Sequence, residues 1–182
     1  IAAVNVNATI EDLAFVIFFG LGNACSVLVG NRIGAGKSDV AYQYGKRFLT
    51  MSIISAVLIG LTIIPLREPV AGLYALSPQG TNNLLWLMLV FASTLWLRVH
   101  NFILFVGTLR AGGDTRFAFI MELSSIWLVG VPAALVGGFV LKLPVYGVYL
   151  MVLLEEVVKA IVIQWRFRSR KWIHDLVNVE TG

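Results

Sequence analysis

Long apolar runs alternate with short polar clusters along this chain, and the runs are far too long for strands. Five stretches, 13–33, 48–66, 84–109, 117–141 and 145–167, each come close to the roughly 20 apolar residues that a helix needs to cross a bilayer. A strand averages only about 5–6 residues. The pattern therefore predicts an all-α, polytopic transmembrane bundle of five spans. Residues 142–144, "KLP", leave room only for a tight turn, so the last two spans form an antiparallel pair. The stretch 67–83, "REPVAGLYALSPQGTNN", is interrupted by Pro69, Pro78 and two glycines and reads as a loop with one interfacial turn over 70–76. There is no low-complexity segment and no soluble domain.

Composition agrees with the pattern. The 182 residues are 58% hydrophobic and only 13% charged, where a soluble domain is about one-quarter charged. A net charge of +4 raises the possibility of nucleic acid as a partner, but the basic residues sit in clusters at the ends of the spans, where a membrane protein carries them, so no nucleic acid is expected. With Cys25 as the one cysteine, no disulfide can close within the chain.

Charge also orients the bundle. Arg32, Lys37, Lys46, Arg47, Arg110, Arg116, Arg166, Arg168, Arg170 and Lys171 fall on one side, and Arg67 and Lys142 on the other. Ten against two makes the first side cytoplasmic by the positive-inside rule. Aromatic residues mark both interfaces: Trp86, Tyr146 and Tyr149 outside, and Tyr42, Tyr44, Trp165 and Trp172 inside. The C-terminus is then cytoplasmic and the N-terminus external. An external start at Ile1, with no n-region or cleavage site, calls for an earlier span, so the sequence is expected to be part of a longer chain.

Gly36-Lys37-Ser38 has the look of a phosphate-binding loop. The spacing fails, because Asn31 stands where G-x-x-x-x-G-K-[ST] requires its first glycine. The glycines have another use. Gly22, Ser26, Gly30 and Gly34 recur every four residues and lay a ribbon of small side chains along one face of the first span. Such ribbons let helix backbones approach closely in lipid. The Gly34-Ala35-Gly36 run then ends the helix, and Ser38 is placed to cap a short interfacial helix over 39–47, with Asp39 in its first turn.

Three segments resemble the multidrug and toxic compound extrusion (MATE) transporters. "FGLGNACSVLVGNRIGAGKSDVAYQYGKR" (19–47) is similar to that family's eighth helix and the basic segment after it. "LRVHNFILFVGTLRAGGDTRF" (97–117) resembles the end of its tenth helix, and "LLEEVVKAIVIQWRFRSRKWIHDL" (153–176) its twelfth helix and basic tail. The three stand in family order and spacing over nearly the whole chain, closest to the bacterial NorM-like or DinF-like branch. The resemblance implies that the five spans match helices eight to twelve, and that residues 1–10 are an external link. The N-terminal bundle and the first helix of the C-terminal bundle would then lie outside this sequence. It also implies a multi-pass protein of the bacterial inner (plasma) membrane that exchanges Na+ or H+ for amphiphilic or cationic compounds, needing no other cofactor.

Ionisable residues inside a span are costly and mark function. Arg98, Glu122, Glu155, Glu156 and Lys159 qualify. Thr94, Arg98 and Asn101 share one face of the third span, which must look into the bundle. His100 points off that face and reads as a hydrogen-bonded packing residue. Glu155 and Glu156 stand four and three residues before Lys159, a spacing that permits internal ion pairs. Arg98 and Lys159 face three carboxylates, so one is left over for a proton, a sodium ion or a cationic substrate. Some prokaryotic family members bind their cation with acids of the seventh and tenth helices. The span resembling the tenth has no acid, so that site is not carried over. Pro132, Gly137 and Gly138 interrupt the fourth span. No His or Cys stands at metal-ligand spacing and no nucleophile–base pair sits at an interface, so neither a metal site nor an enzyme is expected. A lipid-linked sugar flippase and a non-transporting scaffold subunit are the alternative functions.

Overall fold

A computed structural model of the chain describes residues 2–174. Within them the protein is a helical bundle. Helix α1 (Ala2–Gly34) is followed by α2 (Ser38–Gly72) and α3 (Pro78–Phe102), which runs on into a π-helical segment, Ile103–Leu109. The next span is built from α4 (Thr115–Ser125), a π-helical segment (Ile126–Gly130), α5 (Val131–Leu135) and a second π-helical segment (Val136–Val140). The last helix is α6 (Val145–Arg168). Four of these rods, Ala2–Gly34, Ser38–Gly72, Pro78–Leu109 and Thr115–Val140, are long and apolar enough to cross a membrane. α6 has the length, with 24 residues, or about 36 Å at 1.5 Å per residue. Three charges in its middle keep its composition from marking it as a span.

Several boundaries differ from the sequence expectation. Residues 2–10, expected as an external link, are the first turns of α1; the expectation for Ile1 lies outside the described residues. Ala3 packs in a cluster with Ala71, Leu84 and Met88, so the start of α1 is held by the far ends of α2 and α3. The separate interfacial helix over 39–47 does not form, because nothing breaks the helical path between Arg47 and Phe48 and both belong to α2. Ser38 is the first residue of α2 and not its cap; Lys37 holds the cap position without a side-chain hydrogen bond. The loop expected from residue 67 starts only after Gly72, since α2 contains both Pro65 and Pro69. Each proline removes one helical N–H and biases the residue before it away from the helix. Burial of Ala71 against α1 and α3 outweighs that local cost. The cap in this region is Ser77, whose hydroxyl accepts from the Gly80 N–H at 3.2 Å with Pro78 at the first turn.

The main core lies where α1, α2, α3 and α6 meet, around Phe18, Phe91, Leu95, Val99, Ile103 and Ile163. The ribbon of small residues is used unevenly. The buried stripe of α1 runs through Phe18, Gly22, Cys25, Val29 and Ile33. A Cβ at Gly22 would come within 2.7 Å of the Phe102 ring, and at Gly30 the nearest atom is the Ala111 carbonyl at 3.8 Å. Nothing lies within 4 Å of Gly34, so the ribbon leaves the contact at its end. The tightest crossing is elsewhere: a Cβ at Gly60 on α2 would collide with the Ala92 carbonyl on α3.

The basic end of the bundle is clasped. After Arg168 the chain turns through Arg170, at φ +57°, and Trp172 folds back into full burial. Its indole N–H donates to the Phe167 carbonyl at 3.0 Å and its ring stacks on Phe167. Arg166 donates to Asp114 at 2.6 Å, and Arg170 to Asp39 at 2.6 Å. Gly113, at φ +88°, pairs with Ile173, and a Cβ on neighbouring Gly112 would strike Trp172. Residues 175–176 of the tail motif lie outside the described residues.

Gly60→Ala forces α2 and α3 apart and is expected to cost about 1–3 kcal/mol of stability, the usual range for overpacking. Gly34→Ala meets no neighbour and should leave stability unchanged. The thermal unfolding midpoints of both purified variants in detergent check this; equal midpoints would show that the Gly60 crossing is not tight.

Candidate functional site

Two charge clusters lie inside the bundle, one joining α1 to α3 and the other joining α4 to α6. The first centres on Glu11, which the sequence reading left outside the first span because it placed the helix start at Leu13. Helical continuity over 2–12 brings Glu11 inward. One of its carboxylate oxygens accepts from the Asn7 amide at 2.6 Å and from the Tyr149 hydroxyl at 2.6 Å. The other accepts from Arg98 Nη1 at 2.6 Å, while the Arg98 guanidinium lies 5.3 Å from the centre of the Tyr149 ring. Arg98 is thus fixed by α1 and α6 together. Tyr149 serves inside the bundle, beyond the interfacial role its position suggested. The signal for Glu11 was present in the sequence: no glycine or proline interrupts residues 1–19, and Asn7 and Glu11 stand at i, i+4.

The second cluster centres on Lys159. Its ammonium lies 2.8 Å from Glu155, 3.3 Å from Glu156 and 3.2 Å from Glu122. The first two distances realise the i, i+4 and i, i+3 spacing on α6, and Glu122 comes from α4. Lys159 is 6% exposed and Glu155 8%, whereas the Glu122 side chain is 40% exposed. Asn101 ties α3 to the cluster: its amide nitrogen donates to the Glu156 backbone carbonyl at 2.8 Å and to the Glu156 carboxylate at 2.7 Å. Glu155 is seated against the π-helical turn before α5, where a Cβ on Gly130 would collide with its carboxylate. Interruption of the fourth span thus creates the space that the buried acid fills.

Between the clusters lies a cavity of about 530 Å³. One wall carries Arg98, Asn101, Glu122, Glu156 and Lys159. The other is largely aromatic, with Phe15, Phe102 and Phe105. Of the residues expected at the site, Thr94 and Glu155 are not part of this lining; the Glu155 carboxylate is turned to Gly130 and Lys159. The Thr94 hydroxyl donates to the Val90 carbonyl at 2.7 Å, turned back on its own helix, which satisfies the group without a partner across the bundle. Among the described residues no group of His, Cys, Asp and Glu side chains is arranged to hold a metal ion.

With Glu11 included, Arg98 and Lys159 face four carboxylates: Glu11, Glu122, Glu155 and Glu156. Counted over both clusters, two carboxylates therefore lack a cation of their own; of the four, Glu122 and Glu156 line the cavity, together with Arg98 and Lys159. Such a chamber favours cations and, through its rings, the apolar faces of organic ones.

Buried charge, an aromatic wall and a multi-pass helical frame together define a membrane protein of the transporter class. A family model described as MatE matches residues 1–136. The chain is 30% identical to an uncharacterized transporter, YisQ, of Bacillus subtilis (strain 168) over 165 residues, 87% of this chain and 35% of the relative. It is 26% identical to a probable multidrug resistance protein NorM of Halalkalibacterium halodurans, over 93% of this chain and 37% of the relative. To the multidrug resistance protein MdtK of Edwardsiella ictaluri it is 30% identical, over 72% of this chain and 29% of the relative. No solved structure matches. The chain belongs to the MATE family of multidrug transporters, and it spans about a third of the length of these relatives.

Replacing Lys159 by Met leaves three carboxylates facing one another and should cost about 3–5 kcal/mol, as for other buried ion pairs broken from one side. In a Glu155→Gln background the same change should cost less, because one repelling charge is gone. Thermal unfolding of the purified proteins reads both; equal costs in the two backgrounds would mean that Lys159 and Glu155 do not interact.

Proposed function

We propose that the whole protein of which this chain forms part is an antiporter, exporting amphiphilic or cationic compounds in exchange for Na+ or H+. One observation carries the reading: the approximately 530 Å³ cavity sets Glu122 and Glu156, which share the single Lys159 with Glu155, beside aromatic side chains. Carboxylates attract an organic cation, and phenyl rings give its apolar body a low-energy contact. The same carboxylates bind a proton or sodium ion when the organic cation leaves. Two cations competing for one set of charges is the minimal requirement for exchange. The relatives' names, multidrug resistance proteins NorM and MdtK, support the substrate class.

The excess of acids argues against a lipid-linked sugar flippase, whose phosphates require cations to outnumber carboxylates. The ten-to-two bias of Lys and Arg supports a cytoplasmic C-terminus and residence in a bacterial plasma membrane. Alternating access at the interface between two repeats calls for a second bundle. The chain's coverage of about a third of its relatives leaves room for it in the longer protein.

The test uses the full-length protein in proteoliposomes loaded with ethidium. Export should start when an inward Na+ or proton gradient is imposed and stop when it is collapsed. Glu155→Gln or Glu156→Gln should abolish coupled export in at least one case. Unchanged export in both variants, or export indifferent to either gradient, would overturn the reading.

A further inference from the structure

A polar chain leads from Asn101 and Glu156 of the chamber to a second groove beside α3. A groove of about 580 Å³ runs between α3 and α6, walled by Trp96, Ile161 and Trp165 and carrying Arg168 at the basic end. His100 and Gln164 line it. His100 Nδ1 lies 3.0 Å from Asn101 Oδ1, and Nε2 lies 2.9 Å from Gln164 Oε1. Asn101 in turn donates to Glu156 at 2.7 Å. Four side chains, Gln164, His100, Asn101 and Glu156, thus form one continuous hydrogen-bonded line from the groove to the chamber.

The chemistry of that line fixes where a proton goes. Asn101 has both bonds of its amide nitrogen committed to Glu156, once to the carbonyl and once to the carboxylate. Its oxygen must therefore face His100, and an oxygen only accepts, so Nδ1 carries a hydrogen in every state. Nε2 is the free variable. With the Gln164 oxygen facing it, Nε2 can donate, as in a protonated ring. If the Gln164 amide turns over, its nitrogen donates to a bare Nε2 and the ring is neutral. Either way every partner is satisfied. Switching Nε2 between donor and acceptor needs only a rotation of the Gln164 amide.

We infer that His100 is a proton-binding site of the transporter, bordering the α3–α6 groove and coupled through Asn101 to the Glu156–Lys159 cluster. The inference rests on the antiport reading only in taking the proton as a coupling ion. The charged surroundings are complementary. Glu156 lies beyond Asn101, backed by Lys159 on α6, and Arg168 stands at the groove end. On the α1 side Glu11 is matched by Arg98 of α3. α2 passes Ala92 at Gly60, and its residues 48–66, like residues 103–109 after α3, carry no titratable side chain. A proton arriving at His100 adds positive charge one residue away from the carboxylate that would hold an organic cation. That offers a direct means for proton uptake to weaken substrate binding.

Two readouts test this on the full-length protein. In ¹⁵N-histidine spectra recorded from about pH 5 to pH 9, the resonances lost in His100→Gln should show Nδ1 protonated throughout and Nε2 changing state with pH. Nε2 fixed in one state across that range, or Nδ1 losing its proton, would overturn the inference, whatever the transport assay gives. In proteoliposomes, His100→Gln should remove the pH dependence of ethidium export. Gln164→Met, which leaves Nε2 without an acceptor but keeps the Asn101 bond, should weaken proton binding about tenfold and displace the export profile accordingly. Wild-type profiles in both variants would also overturn it. Loss of export from the wild-type protein under every gradient would instead refute antiport and leave the spectra to decide the proton site.

Discussion

A single buried ammonium organises the interior of this protein. Lys159 could not stay charged among apolar helices without partners, since an unpaired ion in such surroundings costs several kcal/mol. It meets three carboxylates, two from its own helix and one from α4. Those acids in turn need something to hold them. Glu156 is fixed by Asn101 of α3, and Glu155 is lodged where Gly130 leaves room. The position of α6 relative to α3 and to the interrupted fourth span follows from satisfying one cation. The requirement is asymmetric, because stabilising Lys159 with more acids than it can neutralise leaves charge unspent. On the proposed function, that remainder is what would hold a transported cation.

Backbone irregularity concentrates beside these charges. The π-helical segment Ile103–Leu109 begins two residues after Asn101, and Ile126–Gly130 begins four residues after Glu122. π-helical turns are rare and collect at functional sites. Here they have a visible use. One widens the fourth span enough to admit the Glu155 carboxylate. The other continues α3 past Phe102 and Phe105, whose rings form the aromatic wall. At the basic end the Trp172 clasp and the Asp114–Arg166 pair tie the tail to the turn after α3, so this end of the bundle is closed by side chains of three different elements.

Much of this was legible in the residues alone. Periodicity and length gave the helical bundle, because apolar runs of this size have few other solutions. The i, i+3 and i, i+4 spacing on α6 announced the Lys159 pairs, since helix geometry brings those positions together whatever surrounds them. What escaped was decided by tertiary contacts. Pro69 and Gly72 argued for a loop from residue 67, yet burial of Ala71 carries α2 to Gly72. The first turns of α1 were expected as an external link, and Glu11 was overlooked for that reason, although no glycine or proline interrupts residues 1–19; packing of Ala3 against α2 and α3 holds them in the bundle. Thr94 shared the inward face of its helix, but a threonine can satisfy itself on the preceding turn and withdraw from the cavity. His100 was read as a hydrogen-bonded packing residue, and it is hydrogen-bonded, but no sequence pattern tells which side chain will stand opposite a ring nitrogen. Its two bonds depend on Asn101 being oriented by Glu156 and on Gln164 arriving from α6.

The claim on which the rest depends is that surplus carboxylates in the chamber hold the transported cation. Binding of tetraphenylphosphonium to the purified full-length protein, measured by calorimetry in wild type and in a Glu122→Gln, Glu155→Gln, Glu156→Gln triple variant, addresses it most directly. The triple variant should bind at least tenfold more weakly, about 1.4 kcal/mol or more, and wild-type affinity should fall as the pH is lowered and protons compete. Equal affinity in a folded triple variant would contradict the claim and move the binding site out of this chamber.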